Sequence, residues 1–346
     1  MEVEKRISKL LELTAEKSDV IFIKYPPDLY YLTGFSGDNG LLVVDDGEPV
    51  FYTDGRYLLQ AEEEINCCRI EEFKNFSEVL EKYLKKGKRV GVDGAGVSLY
   101  EIFLLLDEFA DRIVDITSEV YRIRAVKDES EIFFIEKSIR IQEKVLKKVF
   151  EQRLWEGMSE KEVAMYIKCE MLREGSEREA FETIVAYDTN SAKPHAKPGD
   201  TQFAGDIVLV DWGAVYKGYH SDQTVTFIDE NNPRLREIYH TVREARERVF
   251  EKIKPGISAS KLDRIARDFI KEKGYGEFFS HALGHGVGLE IHERPVISQR
   301  SRDVIEEGMV FTVEPGIYVP GVGGVRLEDM ILVTSSGYRK LTTIDK

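Results

Sequence analysis

Gly205-Asp-Ile-Val-Leu-Val-Asp211-Trp-Gly213 and Gly308-Met-Val-Phe-Thr-Val-Glu314-Pro-Gly316 follow one pattern, 103 residues apart: glycine, an apolar run of strand length, a carboxylate, glycine. A second pair of segments keeps nearly the same offset. Gly157-Met-Ser159-Glu-Lys-Glu-Val163 resembles Gly256-Ile-Ser258-Ala-Ser-Lys-Leu262, 99 residues on, and each places a serine where a helix starts. Glu162 completes a capping box in the first copy. Each half therefore reads helix, helix, strand ending in a carboxylate, turn, and strand with a second carboxylate. The second carboxylates are Asp222, in His-Ser-Asp-Gln-Thr, and Glu328, in Val-Arg-Leu-Glu-Asp. A duplicated unit closed around a shared centre brings all four together. Lone ionised carboxylates beside buried strands are costly, so the pattern predicts cations among them.

The local spacing supports this. Lys217-Gly218 reads as a hairpin tip, which sets Asp222 diagonally across from Asp211 on one face, within reach of one cation. Alternation puts Asp211 on the Leu209 face, opposite Val208 and Val210. A histidine cluster follows in His281-Ala-Leu-Gly-His285-Gly-Val-Gly-Leu-Glu-Ile-His292-Glu, which holds three of the six histidines in the chain. Glycines on both sides of His285 let backbone crowd a centre. No His-Glu-x-x-His is present, so the single-zinc protease motif is absent. Asp211, Asp222, His285, Glu314 and Glu328 form an oxygen-dominated set that suits two divalent ions. Manganese or cobalt comes first, with zinc or iron as alternatives. His195, in a Pro/Gly loop before the Asp211 strand, is a candidate for steadying a reacting oxyanion. Arg326 shares a face with Glu328, which leaves an ion pair and a substrate contact equally open.

Bulk composition narrows the partners. The 346 residues carry 42% apolar and 32% charged side chains and a net charge of −14. Such a chain is long enough for two domains, and its acidity argues against nucleic acid and anionic membranes. No apolar run reaches the length of a membrane span, and the charged amphipathic start lacks a signal-peptide core. The three cysteines, Cys67, Cys68 and Cys169, make no disulfide framework or zinc motif. A cytoplasmic protein is expected.

The first third alternates short strands and helices, as an α/β domain with a mixed sheet requires. Strands are predicted over Asp19–Lys24, Gly40–Val44, Pro49–Thr53, Cys68–Phe73, Arg89–Asp93 and Arg112–Asp115. Helices are predicted over Glu4–Glu16, Arg56–Glu64, Ser77–Lys86, Leu99–Phe109 and Ser118–Val126. A long helix from Asp128 to about Gln152 opens the duplicated half, so the boundary is set at 1–125 and 126–346.

The five candidate ligands, in order and approximate spacing, resemble those of the dinuclear metallopeptidases with the pita-bread fold: methionine aminopeptidase, aminopeptidase P and prolidase. The resemblance implies an internally duplicated, curved antiparallel sheet with outer helices over 126–346, an α+β arrangement behind a creatinase/prolidase-like N-terminal domain. It implies that Asp211 chelates one ion, that His285 and Glu314 hold the other, and that Asp222 and Glu328 bridge. It makes His195, His281, His292 and Arg326 substrate-side or supporting residues, with Glu314 also carrying a proton. Leu32-Thr-Gly-Phe-Ser-Gly-Asp-Asn-Gly40 and Thr53-Asp-Gly-Arg-Tyr57 look like the N-terminal domain of aminopeptidase P. They place an Xaa-Pro aminopeptidase first, cutting peptides with proline second, and an Xaa-Pro dipeptidase (prolidase) as the alternative. The family implies a homodimer. Metal-free pita-bread binding modules are a further reading, disfavoured because none of the five positions is lost. The chain departs from the family at Val225, often arginine, and at Gln223, commonly apolar.

Overall fold

Backbone preferences in short turns set much of the architecture. The computed structural model describes residues 2–98, 100–101 and 109–344, and divides into two compact units between Arg124 and Ala125. In the first unit, α1 (Glu2–Thr14) precedes β1 (Val20–Ile23), and α2 (Pro26–Thr33) precedes β2 (Leu41–Asp45) and β3 (Glu48–Thr53). Then come α3 (Leu58–Glu64), β4 (Arg69–Glu72), α4 (Phe76–Leu84), β5 (Val90–Val92), β6 (Ile113–Asp115) and α5 (Thr117–Ala125). Six strands form one sheet in the order β4-β3-β2-β1-β5-β6, antiparallel at β1/β2 and β2/β3 and parallel elsewhere. This is the expected mixed sheet. The β2–β3 hairpin turns on Asp46 (φ 50°) and Gly47 (φ 80°), a left-handed pair that matches strand twist.

One helix of this unit has no counterpart in the sequence reading. Pro26-Pro27 opens α2, because proline at the first helical turn sacrifices no hydrogen bond. Most of the predicted Leu99–Phe109 helix lies outside the described residues.

The second unit is a doubled structure. Its first half contains α6 (Glu129–Glu151), α7 (Glu160–Arg173), β7 (Ile184–Tyr187), β8 (Ile207–Trp212), β9 (Val215–Tyr216), β10 (Tyr219–His220) and β11 (Gln223–Ile228). Its second half contains α8 (Pro233–Phe250), α9 (Ala259–Glu272), β12 (Gly284–Gly286), β13 (Glu293–Ile297), β14 (Val310–Val313), β15 (Gly316–Val319), β16 (Gly323–Arg326), β17 (Asp329–Thr334) and β18 (Gly337–Lys340). The sheet order β11-β8-β7 is repeated by β17-β14-β12 within the second, larger sheet. A two-stranded hairpin, β9–β10 or β15–β16, fills the same place in each half. Among the described residues no helix is long and apolar enough to cross a membrane.

Strand alternation separates two faces. Val208, Val210, Trp212 and Val225 pack with Val145, Leu146, Val163 and Ile167 of α6 and α7. Phe311, Val313, Ile331 and Val333 pack with Ile238, Val242, Leu262 and Phe269 of α8 and α9. The helices thus cover one face of each sheet, and Asp211, Asp222, Thr224, Thr312, Glu314 and Glu328 belong to the other by alternation. Ser159 caps α7 in the predicted box with Glu162, whereas Ser258 starts α9 without a side-chain cap bond. Ser159→Ala is expected to cost about 1 kcal/mol in chemical denaturation.

Candidate metal centre

The two carboxylates of each half are placed by hairpin register. Lys217 (φ 51°) and Gly218 (φ 75°) form the tip, with Tyr216 opposite Tyr219. The same register continues into β8 and β11, where Asp211 faces Thr224, so Asp222 is diagonal to Asp211. In the second half Val313 faces Asp329, which sets Glu314 opposite Glu328 one step on. The halves are joined across this face. Glu328 N–H donates to Thr224 C=O at 3.1 Å, and Thr224 Oγ1 donates to Glu328 Oε2 at 2.7 Å.

His285 enters from β12. Its glycine neighbours are required by space: a Cβ on Gly284 would stand 2.0 Å from Thr312 O, and one on Gly286 2.1 Å from Arg294 O. His285 Nδ1 lies 3.2 Å from Gly286 O, and Nε2 lies 3.4 Å from Asp222 Oδ2 and 3.3 Å from Glu314 Oε1. Burial lowers its pKa to about 3, so the ring is neutral. A neutral ring that donates from Nδ1 turns a lone pair at Nε2 toward two carboxylates. Asp222, His285 and Glu328 each offer an atom within 4.8 Å of the others, a group able to hold a metal ion.

Arg326 is the cation of the cluster. Nη2 donates to Asp211 Oδ2 at 2.6 Å, Nε to Thr224 Oγ1 at 2.9 Å, and Nη1 to Tyr318 Oη at 2.7 Å and Pro194 O at 3.1 Å. Its ion partner across the centre is therefore Asp211, with Thr224 standing between Arg326 and Glu328. Tyr318 was not singled out in the sequence. Its hydroxyl lies 2.9 Å from His281 Nε2 and links that ring to Arg326. His281 Nδ1 is 2.8 Å from Ala282 O, so both ring nitrogens are engaged. Burial, then Arg326, lowers the His281 pKa to about 3. The His292 ring lies 4.3 Å from that of His285, and burial also lowers its pKa. His195 is exposed on a loop whose preceding carbonyl is the one Arg326 holds. Gln223 is fully buried, and its Oε1 accepts from Gln142 Nε2 at 3.4 Å.

The charges ask for cations. Burial, followed by repulsion from Glu328, pushes the carboxyls of Asp222 and Glu314 well above the usual range. Asp211 Oδ1 is buried with no hydrogen-bond partner among the described residues. Convergent carboxylate oxygens and an imidazole lone pair match the donors that manganese, cobalt, iron and zinc accept.

Residues 134–335 match Metallopeptidase family M24, and residues 6–126 match the Creatinase/Prolidase N-terminal domain. The chain belongs to metallopeptidase family M24. The doubled unit is the pita-bread fold of this metal-dependent family. An M24 relative, an Xaa-Pro dipeptidase of Pyrococcus furiosus, is 40% identical, with 99% of each chain covered. The solved Xaa-Pro dipeptidase from Bacillus anthracis superposes with a TM-score of 0.93 at 33% identity, covering 99% of this chain and 98% of that one. The X-Pro aminopeptidase from Thermotoga maritima MSB8 gives 0.85 at 36% identity, covering 95% and 96%.

This support puts the dipeptidase ahead of the aminopeptidase, reversing the order expected from Thr53-Asp-Gly-Arg-Tyr57. Local bonds account for that motif. Arg56 N–H and Nε donate to Asp54 Oδ1 at 2.9 and 3.0 Å, Asn39 donates to Asp54, and Thr53 Oγ1 donates to Asn39 O at 2.6 Å. It ties the 34–40 loop to the end of β3 and needs no substrate to explain it.

Proposed function

We propose that this chain is an Xaa-Pro dipeptidase that holds two divalent ions on Asp211, Asp222, His285, Glu314 and Glu328. The observation that carries a metallohydrolase is the convergence of buried carboxylates and the His285 lone pair on one face. The dipeptidase is preferred because its whole-length relatives carry that name. The Thermotoga likeness keeps the aminopeptidase as the second reading. We place the enzyme in the cytoplasm as a homodimer, with manganese or cobalt ahead of zinc or iron.

When bound, such ions supply Lewis acidity and water that ionises near neutral pH. The chain's own residues do the rest. Glu314, adjacent to His285 and bonded by Thr312 Oγ1 at 3.2 Å, takes a proton and delivers it to the departing proline nitrogen. Arg326 donates to Asp211 Oδ2 and fixes the orientation of its carboxyl group. His281 anchors the Tyr318–Arg326 chain. His292 and His195 donate to the scissile carbonyl as it gains charge.

Two measurements test this. Xaa-Pro is expected to be cleaved at least about tenfold faster than Xaa-Pro-Yaa at matched concentration, a difference of about 1.4 kcal/mol in the barrier. The opposite preference selects the aminopeptidase. Chelation is expected to abolish turnover, and manganese or cobalt to restore it. Activity that survives complete metal removal rejects the metallohydrolase, and metal-free binding without turnover favours a binding module.

A further inference from the structure

Glu160 is a fully buried carboxylate, 0% exposed, with no part in the metal centre. It stands in the first turn of α7, directly after the Ser159 cap, where the helix dipole favours negative charge. Its Oε1 accepts from Tyr187 N–H at 2.7 Å and from Asn190 Nδ2 at 2.9 Å. Its Oε2 accepts from the same Asn190 nitrogen at 3.0 Å and from Gly199 N–H at 2.9 Å. The helix returns the contact: Glu160 N–H donates to Thr201 O at 3.2 Å, and Lys161 N–H to Gly199 O at 3.0 Å.

These donors come from the two ends of one loop. Tyr187 and Asn190 lie at its start, Gly199 at its end, and the exposed His195 lies between them. The middle is tied to the second half of the unit. Ser191 Oγ accepts from Gly324 N–H at 2.8 Å, and Pro194 O accepts from Arg326 at 3.1 Å. An exposed loop side chain is ordinarily mobile. Four hydrogen bonds from three donors converge on the one Glu160 side chain, and they come from both ends of the loop. A buried carboxylate that gathers both ends therefore narrows the positions His195 can take.

We propose that Glu160 is a positioning residue that clamps both ends of the 187–199 loop and so presents His195 to the substrate. The proposal rests on the substrate role given to His195 above.

A double-mutant cycle in the metal-loaded, full-length protein tests it, with an Xaa-Pro dipeptide as substrate. Glu160→Gln keeps the shape and sets an amide NH₂ against one of the backbone donors. It is expected to lower kcat/KM by about ten- to a hundredfold, as small misplacements of substrate-facing groups do. Hydrogen exchange of the 188–199 amides is expected to quicken, with metal stoichiometry unchanged. His195→Ala alone is expected to lower kcat/KM. Adding Glu160→Gln to it should then cost no more than about twofold, because residues acting as one unit are not additive. Asn190→Ala, which removes a single donor, should give the same pattern at smaller size and serves where Glu160→Gln does not fold.

Losses that multiply in the double variant overturn the clamp, as do unchanged exchange rates. A merely structural Glu160 would lower the unfolding midpoint and leave kcat/KM of the folded enzyme intact. Wild-type kinetics in His195→Ala, together with faster exchange in Glu160→Gln, would instead reject the role of the histidine and, with it, the clamp's link to catalysis.

Discussion

Asp222→Asn is expected to lower kcat/KM on an Xaa-Pro dipeptide by about a thousandfold, roughly 4 kcal/mol of barrier, the order that Lewis-acid stabilisation contributes. The substitution keeps the shape of the side chain and removes its charge. Asp222 is buried, and Glu328, Asp211 and Glu314 all repel its ionised form. An amide there donates to a neighbouring carboxylate, so the cluster relaxes without cations. The same variant is therefore expected to bind fewer metal ions and, when metal-free, to unfold at a temperature no lower than the metal-free wild type. Functional clusters commonly trade stability for activity in this way. The checks are metal analysis of the purified variant, steady-state kinetics and thermal unfolding with and without chelator. Full turnover, or full metal content, would remove Asp222 from the proposed ligand set.

Arg326→Met is expected to act with the opposite sign on stability. The guanidinium is 4% exposed and donates to Asp211, Thr224, Tyr318 and Pro194. Its loss leaves buried carboxylates without their protein cation, and breaking a buried pair costs about 3–5 kcal/mol. For a unit of this size the unfolding midpoint of the metal-free protein should fall by roughly 10 °C. Manganese should recover part of that loss, because a ligand that binds only the folded state stabilises it. Arg326→Lys should lie between, since an ammonium cannot reproduce the forked donation. Thermal melts of the three proteins, each with chelator and with manganese, decide the point. A midpoint unchanged in metal-free Arg326→Met would show that Asp211 does not depend on this arginine.

Opposite signs in one centre follow from its construction. Each half contributes two carboxylates, and the sheet faces that carry them are brought together by Thr224 and Thr226. Thr226 Oγ1 donates to Arg326 O at 2.8 Å, and Arg326 N–H donates back at 3.2 Å. The threonines hold the halves together while the charges push apart. Cations are what the assembled face requires.

The readable part of this centre was local. The Lys217-Gly218 tip fixed a register, and the register fixed the diagonal of Asp211 and Asp222. The glycine–strand–carboxylate repeat announced a doubled sheet, and the serine of each copy marked a helix start. Such signals depend on neighbours two to seven residues away, where backbone sterics and strand alternation act. Other features gave no comparable signal. Tyr318 looks like any strand aromatic until its hydroxyl is found between His281 and Arg326. Glu160 reads as one more acid in the first turn of a helix, and only folding surrounds it with four donor contacts. The helix Pro26–Thr33 is only eight residues long, too short for a clear apolar period to mark it. The Thr53–Tyr57 motif suggested a substrate preference, and its bonds run within its own turn and to Asn39 of the 34–40 loop.

From its sequence alone this chain was committed to two alternating strand faces, a duplicated half and a row of carboxylates on the inner side, because periodicity and turn chemistry are written between near neighbours. Only the tertiary structure decided that Arg326 neutralises Asp211 across 115 residues, that the His285 lone pair turns toward Asp222 and Glu314, and that Glu160 gathers the His195 loop. Those pairings depend on how distant segments pack, and at such range charge and desolvation select partners that sequence spacing does not encode.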